Sequence, residues 1–190
     1  RLGKWYDIVH LRMQPSDLGF VCVGRPRLYS ILLRRGHVRV LADLRGAYDQ
    51  VRQAFSGSRL VLEQLWDIAR PSDLCREENR LRKKRALSSI EEHTQDWTYL
   101  LTPKQQGYLE VYMDLWLSQK GTLPLEDPMC VFNLSQDPSH RVSWTLSGGA
   151  LPTCTTGSLL WMPKRRRWLL PVEVAAAFGF PVRAQLAKAA

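Results

Sequence analysis

No run of apolar residues approaches the ~20 that a membrane-spanning helix requires, and the amino end carries no signal-peptide pattern. No membrane-spanning helix is therefore expected in this sequence. Cysteine is scarce. Cys22, Cys75, Cys130 and Cys154 are irregularly spaced, with no Cys-x-x-Cys pair and no neighbouring His-x-x-x-His to complete a zinc set. Reduced, mostly buried thiols in an intracellular protein are the expectation. His10, His37, His93 and His140 are as scattered as the cysteines, and no metal is assigned. Internal repeats and low-complexity segments are missing too. Acidic residues are in deficit, 18 against 27 Lys and Arg, for a formal net charge of +9. That balance favours a polyanionic partner, nucleic acid ahead of a membrane surface, and no membrane partner is assigned. The first residue is arginine rather than methionine, as in an incomplete or processed chain.

What is present suffices for one good core, alone or with an appended module: 190 residues, 45% of them apolar. Alternation from Trp5 to Met13 predicts a strand. The apolar run "RLYSILLRR", residues 27 to 35, predicts a second, buried one, with the polar turn "QPSDLGF" between them. Leu44, Ala47, Tyr48, Val51 and Phe55 recur at helical spacing. Leu62, Leu65, Trp66 and Ala69 do so again until Pro71 ends the pattern. Residues 76 to 92, including "RLRKKR" at 80 to 85, suit a charged helix, either a solvated face or a contact for nucleic acid. The sharpest helix start is "TPKQ", with Thr102 as cap, Pro103 at the first position and Gln105 reaching back. Tyr108, Leu109, Tyr112, Leu115 and Trp116 then share a face up to Gly121, and an irregular stretch follows to about residue 150. Pro171 suits the first turn of a last helix, Glu173 sits near its positive end, and Gly179 stops it.

Two separated segments carry a resemblance. Towards the carboxyl end "LPTCTT" is followed, past Trp161, by "RRRWLLPVEVAAAFGFP". This resembles the end of the target-recognition region and the ninth conserved motif of DNA (cytosine-5) methyltransferases, where Pro-Thr-x-Thr precedes Arg-x-Leu-x-x-x-Glu and then Gly-aromatic-Pro. Arg167, Leu169, Glu173, Gly179, Phe180 and Pro181 fall at the family spacing. Near the amino end "DLGFVCVGRPRLYSILLRRG" is similar to the eighth motif, a Gly-led turn leading to paired arginines, here Arg25 and Arg27, and a buried strand. The family's Gln two residues before the first arginine is Val23 in this chain. The resembling segments cover roughly 1–36 and 148–181.

The resemblance implies an α/β fold: the carboxyl-terminal part of a Rossmann-like methyltransferase sheet, interrupted by a mixed, helix-containing target-recognition insert. Residues 1–36 then end the catalytic domain, 37–147 form the insert, and 148–190 return to the catalytic domain. It implies transfer of a methyl group from S-adenosylmethionine to cytosine C5 in double-stranded DNA, and a nuclear location in a eukaryote. The cofactor turn and the Pro-Cys nucleophile loop belong to the family's amino-terminal half. No Pro-Cys pair occurs here, and "EEN" at 77 to 79 lies in a charged helical stretch, so it is taken as a decoy for the family's Glu-Asn-Val strand. The implied identity is therefore an enzyme fragment, inactive alone, whose partners are DNA and the missing half of the same enzyme. A non-catalytic nucleic-acid-binding or regulatory module derived from the family is the alternative.

For single residues the resemblance implies that Arg27 donates to the cytosine O2 as the ring is attacked, with Arg25 supporting it. A structural arginine pair making salt bridges at a strand start is the other reading. Thr153, Thr155 and Thr156 are candidates for phosphate contacts, or else an ordinary threonine-rich turn. Lys164, Arg165 and Arg166 add phosphate charge, while Arg167, Glu173, Gly179 and Pro181 are structural parts of the motif.

Overall fold

The computed structural model of the chain describes residues 2–14, 17, 23, 26–55, 68–145, 150–155, 157–180 and 182. Among these the fold is mixed α/β, with four α-helices and two small antiparallel sheets. Strands β1 (Tyr6–Met13) and β2 (Arg27–Arg34) form an antiparallel hairpin in which Tyr6 faces Arg34 and Met13 faces Arg27. Helix α1 (Leu44–Phe55) follows, then α2 (Pro71–Lys84) and α3 (Pro103–Lys120). The second sheet has the order β3-β4-β5, formed by Phe132–Asn133, Leu160–Met162 and Arg167–Trp168. Helix α4 (Pro171–Ala177) closes the described chain.

Both strands of the hairpin and α1 lie where apolar periodicity puts them. The burial expected of the second strand does not hold: Leu28 is 67% exposed, and Tyr29 and Leu32 are exposed as well. The cause is that β1 and β2 pair only with each other among the described residues. Apolar side chains therefore line both faces, Ile8, Leu28 and Leu32 on one and Val9, Leu11, Met13, Ile31 and Leu33 on the other.

Pro71 opens α2, a helix start beyond the stop read from the sequence. Lacking an N–H, it occupies a first-turn position where none is needed, and the Asp73 carboxylate accepts the Arg70 N–H at 3.1 Å. The pattern at Leu62, Leu65 and Trp66 lies outside the described residues. The charged helix ends at Lys84, well short of residue 92, because Ala86 turns left-handed at φ 56° and the Leu87 N–H reaches back to the Arg82 carbonyl. For α3 the capping pair forms as anticipated: Gln105 N–H donates to Thr102 Oγ1 at 3.2 Å, and Thr102 N–H to Gln105 Oε1 at 2.9 Å. Gly121 ends the helix at φ 69°.

The stretch expected to be irregular contains β3, and Thr145 N–H donates back to the Val131 carbonyl beside it. Two-residue strands are too short to show alternation. Two clusters of buried side chains flank the second sheet. One joins Tyr112 and Trp116 of α3 to Phe132, Trp161, Trp168 and Leu170, with the Tyr112 and Phe132 rings stacked at 5.2 Å. In the other, Val23 and Val131 pack with Leu151, Leu160, Met162, Ala176 and Ala177. Residues on both sides of position 147 thus share one core. No Rossmann-like parallel sheet is seen among the described residues; the parallel pairing there is a single bridge, Val23 to Leu151.

Candidate nucleic-acid interface

The carboxyl-terminal motif takes shape around one ion pair. Arg167 in β5 is 6% exposed, and Glu173 in the first turn of α4 is fully buried. The guanidinium grips the carboxylate with two bonds, Nη1 to Oε2 at 2.8 Å and Nη2 to Oε1 at 2.6 Å, and donates a third to the Trp168 carbonyl. Glu173 also accepts the Leu170 N–H at 2.8 Å, satisfying a donor at the start of α4. The Arg-x-Leu-x-x-x-Glu spacing therefore fixes the angle at which α4 leaves the sheet. Gly179 follows at φ 83°, donating its N–H to the Ala176 carbonyl. Pro181 lies outside the described residues.

The threonines and the basic cluster fall at opposite ends of β4. Thr155 sits in an exposed turn, its N–H donated to Ser158 Oγ at 2.8 Å, beside Asn133 at the start of β4; Thr153 is also exposed. Thr156 lies outside the described residues. Lys164, Arg165 and Arg166 form the exposed turn between β4 and β5, at the strand's other end. Three strand residues separate the ends by roughly 10 Å at ~3.3 Å per residue, so the two groups do not converge on one point.

Within the basic turn the side chains differ. Arg166, left-handed at φ 48°, pairs with Asp96 at 2.7 Å, and its carbonyl accepts the Trp97 N–H at 2.8 Å. Lys164 reaches only the Glu126 carbonyl, at 3.5 Å. Partial burial pushes the Asp96 carboxyl up, but the Thr98 hydroxyl and N–H and the Arg166 guanidinium together hold it below the ordinary value.

Arg27 is exposed at the first position of β2, its Nη1 donating to the Pro26 carbonyl at 3.1 Å. None of the described acidic residues pairs with it. Arg25 lies outside the described residues.

The "EEN" stretch has a structural role that its sequence did not signal. Glu78 is fully buried and accepts the Thr94 N–H at 2.7 Å, the Thr94 hydroxyl at 2.6 Å and the Tyr99 hydroxyl. Asn79 clamps Ile90 from both sides, accepting its N–H and donating to its carbonyl, each at 2.8 Å. Together they fold the segment after α2 back along the helix. The result is a groove of about 570 Å³ lined by Arg76, Asn79, Arg80, Lys83, Leu87 and Ser89, among others. A lining of three cations does not fit the sulfonium of S-adenosylmethionine, which they repel.

In "RLRKKR" each arginine has a partner within the chain. Arg80 grips Glu77; Arg82 donates to the Ser88 carbonyl and the Tyr99 hydroxyl; Arg85 donates to the Leu100 carbonyl. Lys83 and Lys84 are exposed, with no acidic partner among the described residues. Neither the described histidines and cysteines nor the acidic residues form a group of three or more able to hold a metal, and no described helix is long and apolar enough to cross a membrane. The chain matches no protein-family model, no curated protein and no solved structure.

Proposed function

We propose that the chain is a carboxyl-terminal part of a DNA (cytosine-5) methyltransferase that carries its DNA-reading insert. The observation that carries this reading is the meeting of the two resembling segments. Val23, from the eighth-motif-like stretch, bridges Leu151, at the head of the ninth-motif-like stretch; both are fully buried and share a core with α4. The arginine and glutamate of the ninth-motif spacing are likewise joined in one buried fork.

The finer fold belongs to the same proposal. A two-stranded hairpin with apolar side chains on both faces is the kind of pair that α/β sheets cover on both sides, and alone it is marginal in water. On this reading β1 and β2 join a Rossmann-like sheet supplied by the amino-terminal half of the same enzyme. That half would bind S-adenosylmethionine and supply the methyl group. On the same reading Arg27, unpaired by any described carboxylate, donates to the cytosine O2, with Arg25 in the supporting role that the motif gives it. A guanidinium held there also favours a nearby thiolate.

The test is reconstitution. The chain and the proposed amino-terminal half are purified separately and mixed with labelled S-adenosylmethionine and double-stranded DNA. Methyl transfer to cytosine by the mixture, and by neither part alone, supports the reading. A stable complex of the two that binds DNA and transfers no methyl group overturns it.

A further inference from the structure

Resting on that reading, we infer that the groove along α2 is a docking site for the phosphate backbone of double-stranded DNA, and that it does the work the sequence distributes over all of "RLRKKR". Arg76, Arg80 and Lys83 lie four and three residues apart on α2, so they share one face and follow the groove at about 1.5 Å of rise per residue. All three are exposed. Behind them sit their own counter-charges. Asp73, 8% exposed and itself accepting the Arg70 N–H, holds Arg76 Nη2 at 2.7 Å, and Glu77 holds Arg80 by two bonds, Nε at 2.8 Å and Nη2 beside it. These bonds orient each guanidinium and leave the rest of its five N–H donors for a ligand. Lys83 is a cation with no acidic partner among the described residues.

The opposite wall comes from the segment that Asn79 clamps onto the helix. There Ser89 offers a hydroxyl, and Ala86 and Leu87 offer an apolar surface. Oriented cations on one side and a hydroxyl with a short apolar strip on the other match a phosphodiester backbone with its sugars. A small carboxylate ligand would leave the apolar strip unused. Arg82 and Arg85 do not line the groove; their guanidiniums face the 86–100 segment and hold it instead.

The experiment measures the affinity of the whole chain for a double-stranded oligonucleotide by fluorescence anisotropy between about 50 and about 200 mM salt. Each phosphate contact contributes roughly 0.9 to the log-log slope. Lys83→Gln, which removes an exposed and unpaired cation, is expected to lower the slope by about 0.9. The triple variant Arg76→Gln, Arg80→Gln, Lys83→Gln is expected to lower it by more than the single one, up to about 2.7, with melting checked alongside. If the parent chain binds DNA and Lys83→Gln leaves the slope unchanged, the groove is not the docking site, and the methyltransferase reading stands. If the parent chain does not bind DNA at all, that reading falls and takes the groove with it.

Discussion

Replacing Arg167 by alanine removes both bonds of the fork and the bond to the Trp168 carbonyl, and it strands Glu173 at zero exposure. Breaking a buried pair by deleting one partner costs about 3–5 kcal/mol, mostly because the remaining charge is uncompensated. For a chain of this size 1 kcal/mol shifts the melting midpoint by roughly 2–4 °C, so a loss of roughly 6–20 °C is expected. Arg167→Lys keeps the charge but cannot span both carboxylate oxygens, and its cost is about 1–3 kcal/mol. The double variant Arg167→Met, Glu173→Leu removes both charges and recovers most of the alanine loss. It falls short by about 1 kcal/mol, since the Leu170 N–H loses its acceptor. Urea unfolding of these proteins, with the single variants Arg167→Met and Glu173→Leu added to close the cycle, gives the coupling directly. A cost for Arg167→Ala within about 0.5 kcal/mol, the range of surface substitutions, would refute the claim that this fork fixes α4 to the sheet.

The Asp137 carboxyl receives the Ser139 hydroxyl and N–H, with the Tyr108 hydroxyl also donating, and is held at about 2. A folded pKa below the unfolded value contributes stability that is present above about 3.9 and lost as the pH falls through about 2. Carboxyl-detected NMR is expected to show its midpoint at about 2, rising in Ser139→Ala; a midpoint at the ordinary aspartate value contradicts this. Burial pushes the Cys130 thiol well up, whereas Cys75 and Cys154 are half-buried. Cys130 is therefore expected to resist iodoacetamide in the folded chain and react only on unfolding, read by mass spectrometry; labelling at native pH before any other thiol contradicts its placement.

Helices with strong local signals were legible from sequence. Thr102, Pro103 and Gln105 gave the start of α3, and Pro171 with Glu173 gave that of α4, because capping is settled by neighbours in the chain. Pro71 also opens α2, a start that reading it only as a stop leaves out. A proline marks a boundary, but its sequence alone does not say on which side the helix lies. The β3 strand escaped because two residues hold no periodicity and its partners come from Leu160 and Trp161. Of the candidate site, Arg167 and Glu173 are legible as structural parts of the motif, but their pairing in one buried fork is not, because it depends on where β5 meets α4. The basic clusters misled in part, since charge in a sequence does not distinguish Arg82, spent on Tyr99 and Ser88, from Lys83, which has no acidic partner among the described residues. Nor could sequence place Thr155 and Lys164 at opposite ends of β4.

The central claim is tested most directly at Arg27. In the assembled enzyme, single-turnover methylation and equilibrium DNA affinity are measured together for wild type, Arg27→Ala and Arg27→Lys. If the guanidinium donates to the cytosine as charge develops, alanine lowers the chemical rate by about two to three orders of magnitude with little change in DNA affinity. Lysine restores little, for want of the planar fork. A near-normal rate for a folded Arg27→Ala enzyme contradicts the account and leaves Arg27 as a residue of the strand end alone.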